Sequence, residues 1–272
     1  MLYNKGFLGD RHCLVEGETR MPEGGPARKR KDIGMDNAME LFVDYVTRWE
    51  PEFANRIRGA TSSEIGELEE LAGRQLPQAY RAYLSRLGRN DGGLDIGQSA
   101  TTEINQVIDF YKEALAAGDS LPPDCIVIAV GGVGVGETSL QIRSTDEPRV
   151  VNTSDDRIEG LHADSLPILL YRVSFMKYRA RCLPYSAIYV STGTENELAE
   201  GQSTALALGF VLQWFSDSIC ICGERSDAAF MLNQFEGRTP WLRIAATERK
   251  RVEEIGEGFA RSIGVRFQRW WP

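Results

Sequence analysis

Histidine is almost missing from this chain: His12 and His162 are the only two in 272 residues. That removes the commonest general base and the commonest neutral metal ligand from nearly all of it. Cysteine is sparse as well. The five present, Cys13, Cys125, Cys182, Cys220 and Cys222, are odd in number and widely spread. They make no disulfide framework and fit a reducing compartment. Long apolar runs are missing too. The longest, Ala205–Phe215, is broken by Gly209 and Gln213 and falls well short of the ~20 residues a membrane-spanning helix needs. The N-terminal MLYNKGFLGDRHCLVEG lacks the uninterrupted apolar core of a secretory signal. These absences together lead to the expectation of a cytoplasmic chain with no membrane partner.

Catalytic and cofactor constellations are equally short of parts. Gly132-Val133-Gly134-Val135-Gly136 follows a β-branched run, but a phosphate cradle needs a helix N-terminus directly after it, and 138–143 alternates like a strand. No Gly-Lys-Ser/Thr completes a P-loop, so a tight turn is expected there. Gly201-Gln202-Ser203-Thr204-Ala205 is a partial nucleophile elbow with no histidine after it, which leaves the nucleophile, acid, histidine order without its last member. Cys220 and Cys222 share one strand face; without two further ligands nearby they read as core packing rather than a metal site. His162 beside Asp164 and Ser165 reads as a surface loop residue. Glu67, Glu69 and Glu70 lie along one helix rather than across a cleft, so no paired-carboxylate mechanism is indicated. The reading is therefore non-enzymatic, with no cofactor and no metal.

What is present is acidic charge, unevenly placed. The net charge is −8. Residues 35–170 carry 11 basic and 23 acidic groups, whereas 1–34 and 171–272 are each slightly basic. Such a field repels nucleic-acid phosphate, which argues against a direct nucleic-acid partner, and speeds encounter with a basic protein.

The chain is organised around Thr61–Gly93. Thr61 followed by Glu64 makes a capping box, and Ile65, Leu68 and Leu71 recur on one helical face. Gly73 suits a left-handed helix end, and Pro77 suits the first turn of a second helix bearing Tyr80, Tyr83, Leu84 and Leu87, closed by Gly88. The resulting pattern, I-x-x-L-E-x-x-x-G-x-x-L-P-x-x-Y-x-x-Y-L-x-x-x-G, resembles the N-terminal signature of the SUKH superfamily, the Smi/Knr-like proteins. The positions that carry the likeness are Ile65, Leu68, Glu69, Gly73, Leu76, Pro77, Tyr80, Leu84 and Gly88. A looser likeness continues to residue 178 through a strand, a glycine turn and another strand.

Around that stretch, 1–34 reads as a disordered leader, with Met35 or Met39 as alternative starts. Met39–Arg58 reads as a helix broken at Pro51, and 104–117 as another helix. Strands are expected at 125–130, 138–143 and 149–152, then a final strand over 167–171 and a short helix over 174–178. The remainder, 181–272, reads as strands at 186–191, 210–215, 219–223, 229–235 and 241–246, with helices over 195–208 and 247–263 and a return strand at 265–268. Trp214 and Trp241 fall in strand runs and are expected in the core. The fold class is thus α+β: a SUKH-like domain of N-terminal helices on a mainly antiparallel sheet over 35–180, followed by a second, smaller α+β domain over 181–272.

What the resemblance implies is a bacterial immunity protein of a polymorphic toxin system, an antitoxin that binds a cognate protein toxin, often a nuclease. Glu67, Glu70, Asp91 and Asp95 are the expected partner contacts. Two alternatives stay open: a Smi/Knr-like regulatory protein-interaction module, and an enzyme whose site lies in 181–272.

Overall fold

The computed structural model describes residues 35–96, 100–119, 121–122, 124–131, 136–143, 147–154, 156–191, 197–235 and 239–271. The leader, the alternative starts' upstream segment and the turn residues Gly132–Val135 lie outside the described residues.

Helices come first. α1 (Met35–Thr47) and α2 (Phe53–Arg56) are one amphipathic segment interrupted at Pro51, as expected for a ring that blocks the interior of a helix. α3 (Ser62–Leu71) starts at Thr61 with the capping box formed in both directions. Gly73 takes φ +65°, the left-handed region that a Cβ disfavours. α4 (Gln78–Leu87) buries Tyr80, Tyr83, Leu84 and Leu87, with Pro77 as its N-cap. α5 (Ile104–Ala117) ends at Gly118 in the left-handed region.

These helices pack on an antiparallel meander, β1 (Cys125–Ala129), β2 (Glu137–Gln141), β3 (Arg149–Ser154) and β4 (Arg157–Ala163), in that order across the sheet. Tyr111 of α5 pins the two layers: its hydroxyl accepts the Val127 N–H at 2.9 Å, and burial pushes its pKa up to about 12. β4 escapes a reading by periodicity. Its first three residues are exposed, Ile158 among them, and Gly160 interrupts it.

The expected strand over 167–171 is a helix instead. α6 (Leu166–Ser174) is capped by Ser165, whose hydroxyl accepts the Ile168 N–H, and carries Pro167 in its first turn. Pro-Ile-Leu-Leu-Tyr is a continuous apolar run, and such a run does not distinguish a strand from a buried helix. α6 continues into one π-helical turn, Phe175–Arg179, and a short 3₁₀ turn, Ala180–Cys182. The expected helix over 174–178 is the continuation of α6, and the proposed boundary near residue 180 falls inside this unbroken helical run.

The second sheet has six antiparallel strands: β5 (Tyr185–Val190), β6 (Val211–Leu212), β7 (Cys220–Arg225), β8 (Ala228–Asn233), β9 (Trp241–Ala246) and β10 (Arg266–Trp271). Their order is β10-β5-β9-β8-β7-β6. α7 (Glu197–Ala207) and α8 (Arg249–Ile263) cover one face. The core there is made by Ala187, Tyr189, Phe230, Leu232, Ile244, Val252, Phe259 and their neighbours. The cap of α8 is Glu248, without a side-chain hydrogen bond, rather than Thr247.

Residues 34–272 form one compact unit. A third core joins the helical run after α6 to the second sheet: Phe175, Met176 and Leu183 meet Phe215, Cys220, Cys222 and Ala229, with Leu161 of β4 packed at its margin. Both cysteines are fully buried in it. Trp214, expected inside, sits in a turn and is 45% exposed, while its neighbour Phe215 takes the buried place. Trp241 is partly buried.

Candidate functional site

α3 carries four glutamates, and the structure gives them different work. Glu64 is consumed by the cap. Its carboxylate accepts the Thr61 N–H at 2.7 Å and meets the Arg89 guanidinium at 2.8 Å. The Arg89 hydrogen bond, reinforced by the Thr61 amide and hydroxyl, lowers its pKa from 4.5 to about 2 against an opposing desolvation. Glu69 is consumed by the hinge. One oxygen accepts the Leu76 N–H at 2.8 Å and also the Arg81 guanidinium. Glu69 thus ties the Leu-Pro step to α4, satisfying an amide in the linker where helical pairing is broken.

Glu67 and Glu70 are the outward pair. Glu67 meets Lys112 of α5 at 2.7 Å, with its side chain 44% exposed. That hydrogen bond raises the Lys112 pKa, with a further push from Asp109. Glu70 is exposed. α5 adds the exposed Asp109 and Glu113, which the sequence reading did not single out. Helical spacing places them off the apolar stripe of Ile104, Val107, Ile108 and Tyr111, which would have been a sufficient signal.

The other two expected contacts lie on the loop after α4. Asp91 is a turn-former: Oδ1 accepts the Gly93 and Leu94 N–H groups at 2.7 and 3.1 Å, and Oδ2 accepts the Thr102 hydroxyl at 3.1 Å. Asp95 is exposed and holds φ +62°, a conformation that aspartate tolerates better than most residues. Lys177 donates to the Gly93 carbonyl, and Tyr178 to that of Gly92 at 3.4 Å, so this loop is fastened to the π-helical turn. Of the four, Glu67 and Glu70 share a helix, while Asp91 and Asp95 belong to a braced turn.

The other tempting motifs fall into structural places. Ser203 lies within α7 and donates to the Ala199 carbonyl at 3.1 Å, so the partial nucleophile elbow is part of a helix. His162, expected at the surface, is 3% exposed and stacked on Phe235 at 5.6 Å. Its carbonyl accepts from Arg172. Arg172 in turn meets Asp217 at 3.2 Å, with side-chain exposures of 4% and 0%. Asp217 also accepts the Asp164 and Ile219 N–H groups, each at 3.1 Å, and Asp164 accepts from the Ser218 amide at 3.2 Å. A second pair, Arg179 with Glu224 at 3.0 Å, joins the same two parts of the chain. Charge buried this way is held by geometry and by mutual satisfaction of donors.

Among the described residues, no group of three or more His, Cys, Asp or Glu side chains is placed to hold a metal ion, and no helix is long and apolar enough to cross a membrane. Compared with family models, with curated proteins and with solved structures, the chain has no match in any of the three.

Proposed function

We propose that this chain is a SUKH-like binding protein, an immunity protein that neutralises a protein toxin, a nuclease being the expected kind, in the cytoplasm of a bacterium. The observation that carries the reading is the outward carboxylate surface of α3 and α5. Glu70, Asp109 and Glu113 are exposed and Glu67 is nearly half so, on a segment whose other glutamates are used up by the fold. A nuclease surface that grips phosphate is basic, and an acidic helix pair covers it by standing in for phosphate and by steering the encounter.

The structure sharpens which residues can test this. Asp91 braces its own turn, so its reversal would disturb the loop before it disturbed a contact. Glu67→Lys and Glu70→Lys act on the surface. The test is co-expression with the candidate toxin encoded alongside it, followed by association kinetics. Rescue of growth is expected, with the double reversal slowing association and flattening its salt dependence. Absence of rescue together with absence of a complex sinks the immunity reading, and rescue with unchanged kinetics of the double variant moves the contact off α3.

A further inference from the structure

The two faces of the six-stranded sheet are unlike. α7 and α8 cover one. On the other, the β7 and β8 side meets the first part of the chain through Cys220, Cys222 and Ala229, whereas the β10-β5-β9 side opens on a groove of about 350 Å³. Its walls are Ile188, Val190, Trp241, Gln268 and Trp271, and Arg243 lies in its lining.

Arg243 is mid-strand in β9, opposite Ile188 on one side and Met231 on the other. Its Nε donates to Ser186 Oγ at 3.1 Å, and its guanidinium carbon stands 5.4 Å from the Trp271 ring centroid. Arg89, Arg172, Arg179 and Arg225 each hold a carboxylate. Arg243 makes no ion pair with any described carboxylate. The neighbouring charge that acts on it is Arg181, another cation, and burial followed by that repulsion lowers its pKa to about 10. It therefore stays protonated at neutral pH in a place that disfavours its charge. A second guanidinium, Arg269, stacks on the same Trp271 ring at 4.9 Å, and Arg266 is exposed on the same edge strand.

A partly buried cation without a counter-charge is destabilising unless something else compensates it, and sites that break such a rule are the ones where function is expected. The guanidinium fork matches carboxylate and phosphate oxygens two at a time. The aliphatic and indole walls suit an apolar or aromatic body attached to that anion, and the volume is at the small end of the range for ligand sites. We propose that this groove binds a small organic oxyanion, a phosphate or carboxylate on an apolar or aromatic body, with Arg243 as its anchor. The site is separate from the acidic helices and stands whether or not they contact a toxin.

The test uses the full chain, calorimetry and tryptophan fluorescence, and four probes: adenosine monophosphate, phenylacetate, inorganic phosphate and a short acidic peptide. Saturable binding of adenosine monophosphate or phenylacetate is expected, tighter than that of inorganic phosphate. Arg243→Gln should weaken it by at least about tenfold, the scale of one lost charge-assisted pair. Ile188→Glu, which places a carboxylate opposite Arg243 in the strand register, should abolish binding and raise the thermal midpoint, a combination that a purely structural arginine would not produce. Failure of both organic anions to bind overturns the proposal, as does binding that survives Arg243→Gln. Binding of the acidic peptide alone also overturns it and makes the groove a protein contact.

Discussion

Removing the Asp217 carboxylate is the sharpest test of how this molecule holds together. Asp217→Ala leaves the Arg172 guanidinium, 4% exposed, without the one carboxylate it meets among the described residues, and strips acceptors from the Asp164 and Ile219 amides. Breaking a buried ion pair by deleting one partner costs about 3–5 kcal/mol. The orphaned amides cost about 1–3 kcal/mol each in isolation, but one acceptor serves all of them, so the terms overlap and do not sum. About 4 kcal/mol is the expected loss. For a chain of this size each kcal/mol lowers the thermal midpoint by roughly 2–4 °C, which gives a fall of roughly 8–16 °C. The assay is urea unfolding followed by tryptophan fluorescence and by far-ultraviolet circular dichroism. The double variant Arg172→Met with Asp217→Asn removes the stranded charge and keeps an amide oxygen for the backbone donors, so it should cost less than Asp217→Ala alone. Because Arg172 belongs to α6 and Asp217 to the turn before β7, the single variant should also separate the two spectroscopic transitions. A loss below about 1 kcal/mol, or a double variant worse than the single one, would refute the assignment of the pair as a structural weld.

Three further outcomes follow from the geometry. Glu64 has its pKa lowered to about 2, so its contribution is fully present above about pH 4.5 and disappears as pH falls toward 2; Glu64→Gln should lower stability at pH 7 and flatten the acid limb of a stability-against-pH curve. Glu69→Ala strands the Leu76 amide and frees Arg81, and should cost about 1–3 kcal/mol in denaturant melts, with Glu69→Gln recovering part because it keeps an acceptor. Gly66 and Gly256 should answer an alanine oppositely. Gly66 has open space around its missing Cβ, so Gly66→Ala should stabilise by about 0.5–1 kcal/mol. A Cβ on Gly256 would meet the buried Tyr189 ring at 2.2 Å, and Gly256→Ala should destabilise by about 1–2 kcal/mol net of the helix gain.

The sequence alone determined the elements whose signals are local. A capping box, a left-handed glycine, a proline break and a 3.6-residue stripe each act within a few residues, and α3, α4 and α5 stand where those signals place them. The α+β class followed from the same periodicities. Two kinds of feature needed the tertiary structure. An apolar run without alternation suits a strand or a buried helix equally, and at Pro167–Tyr171 only the Ser165 cap and Pro167 speak locally for a helix, while β4 had no stripe to read because its outer residues face solvent. The identity of a charge as surface or structure was also beyond reach. Glu64, Glu69 and Asp91 look like their neighbours in the sequence, but each is committed by a partner that lies far along the chain or in a folded turn. Glu67 meets Lys112 at the surface and Glu70 faces solvent, and Arg243 meets no described carboxylate because the strands beside it, β5 and β8, carry no acid.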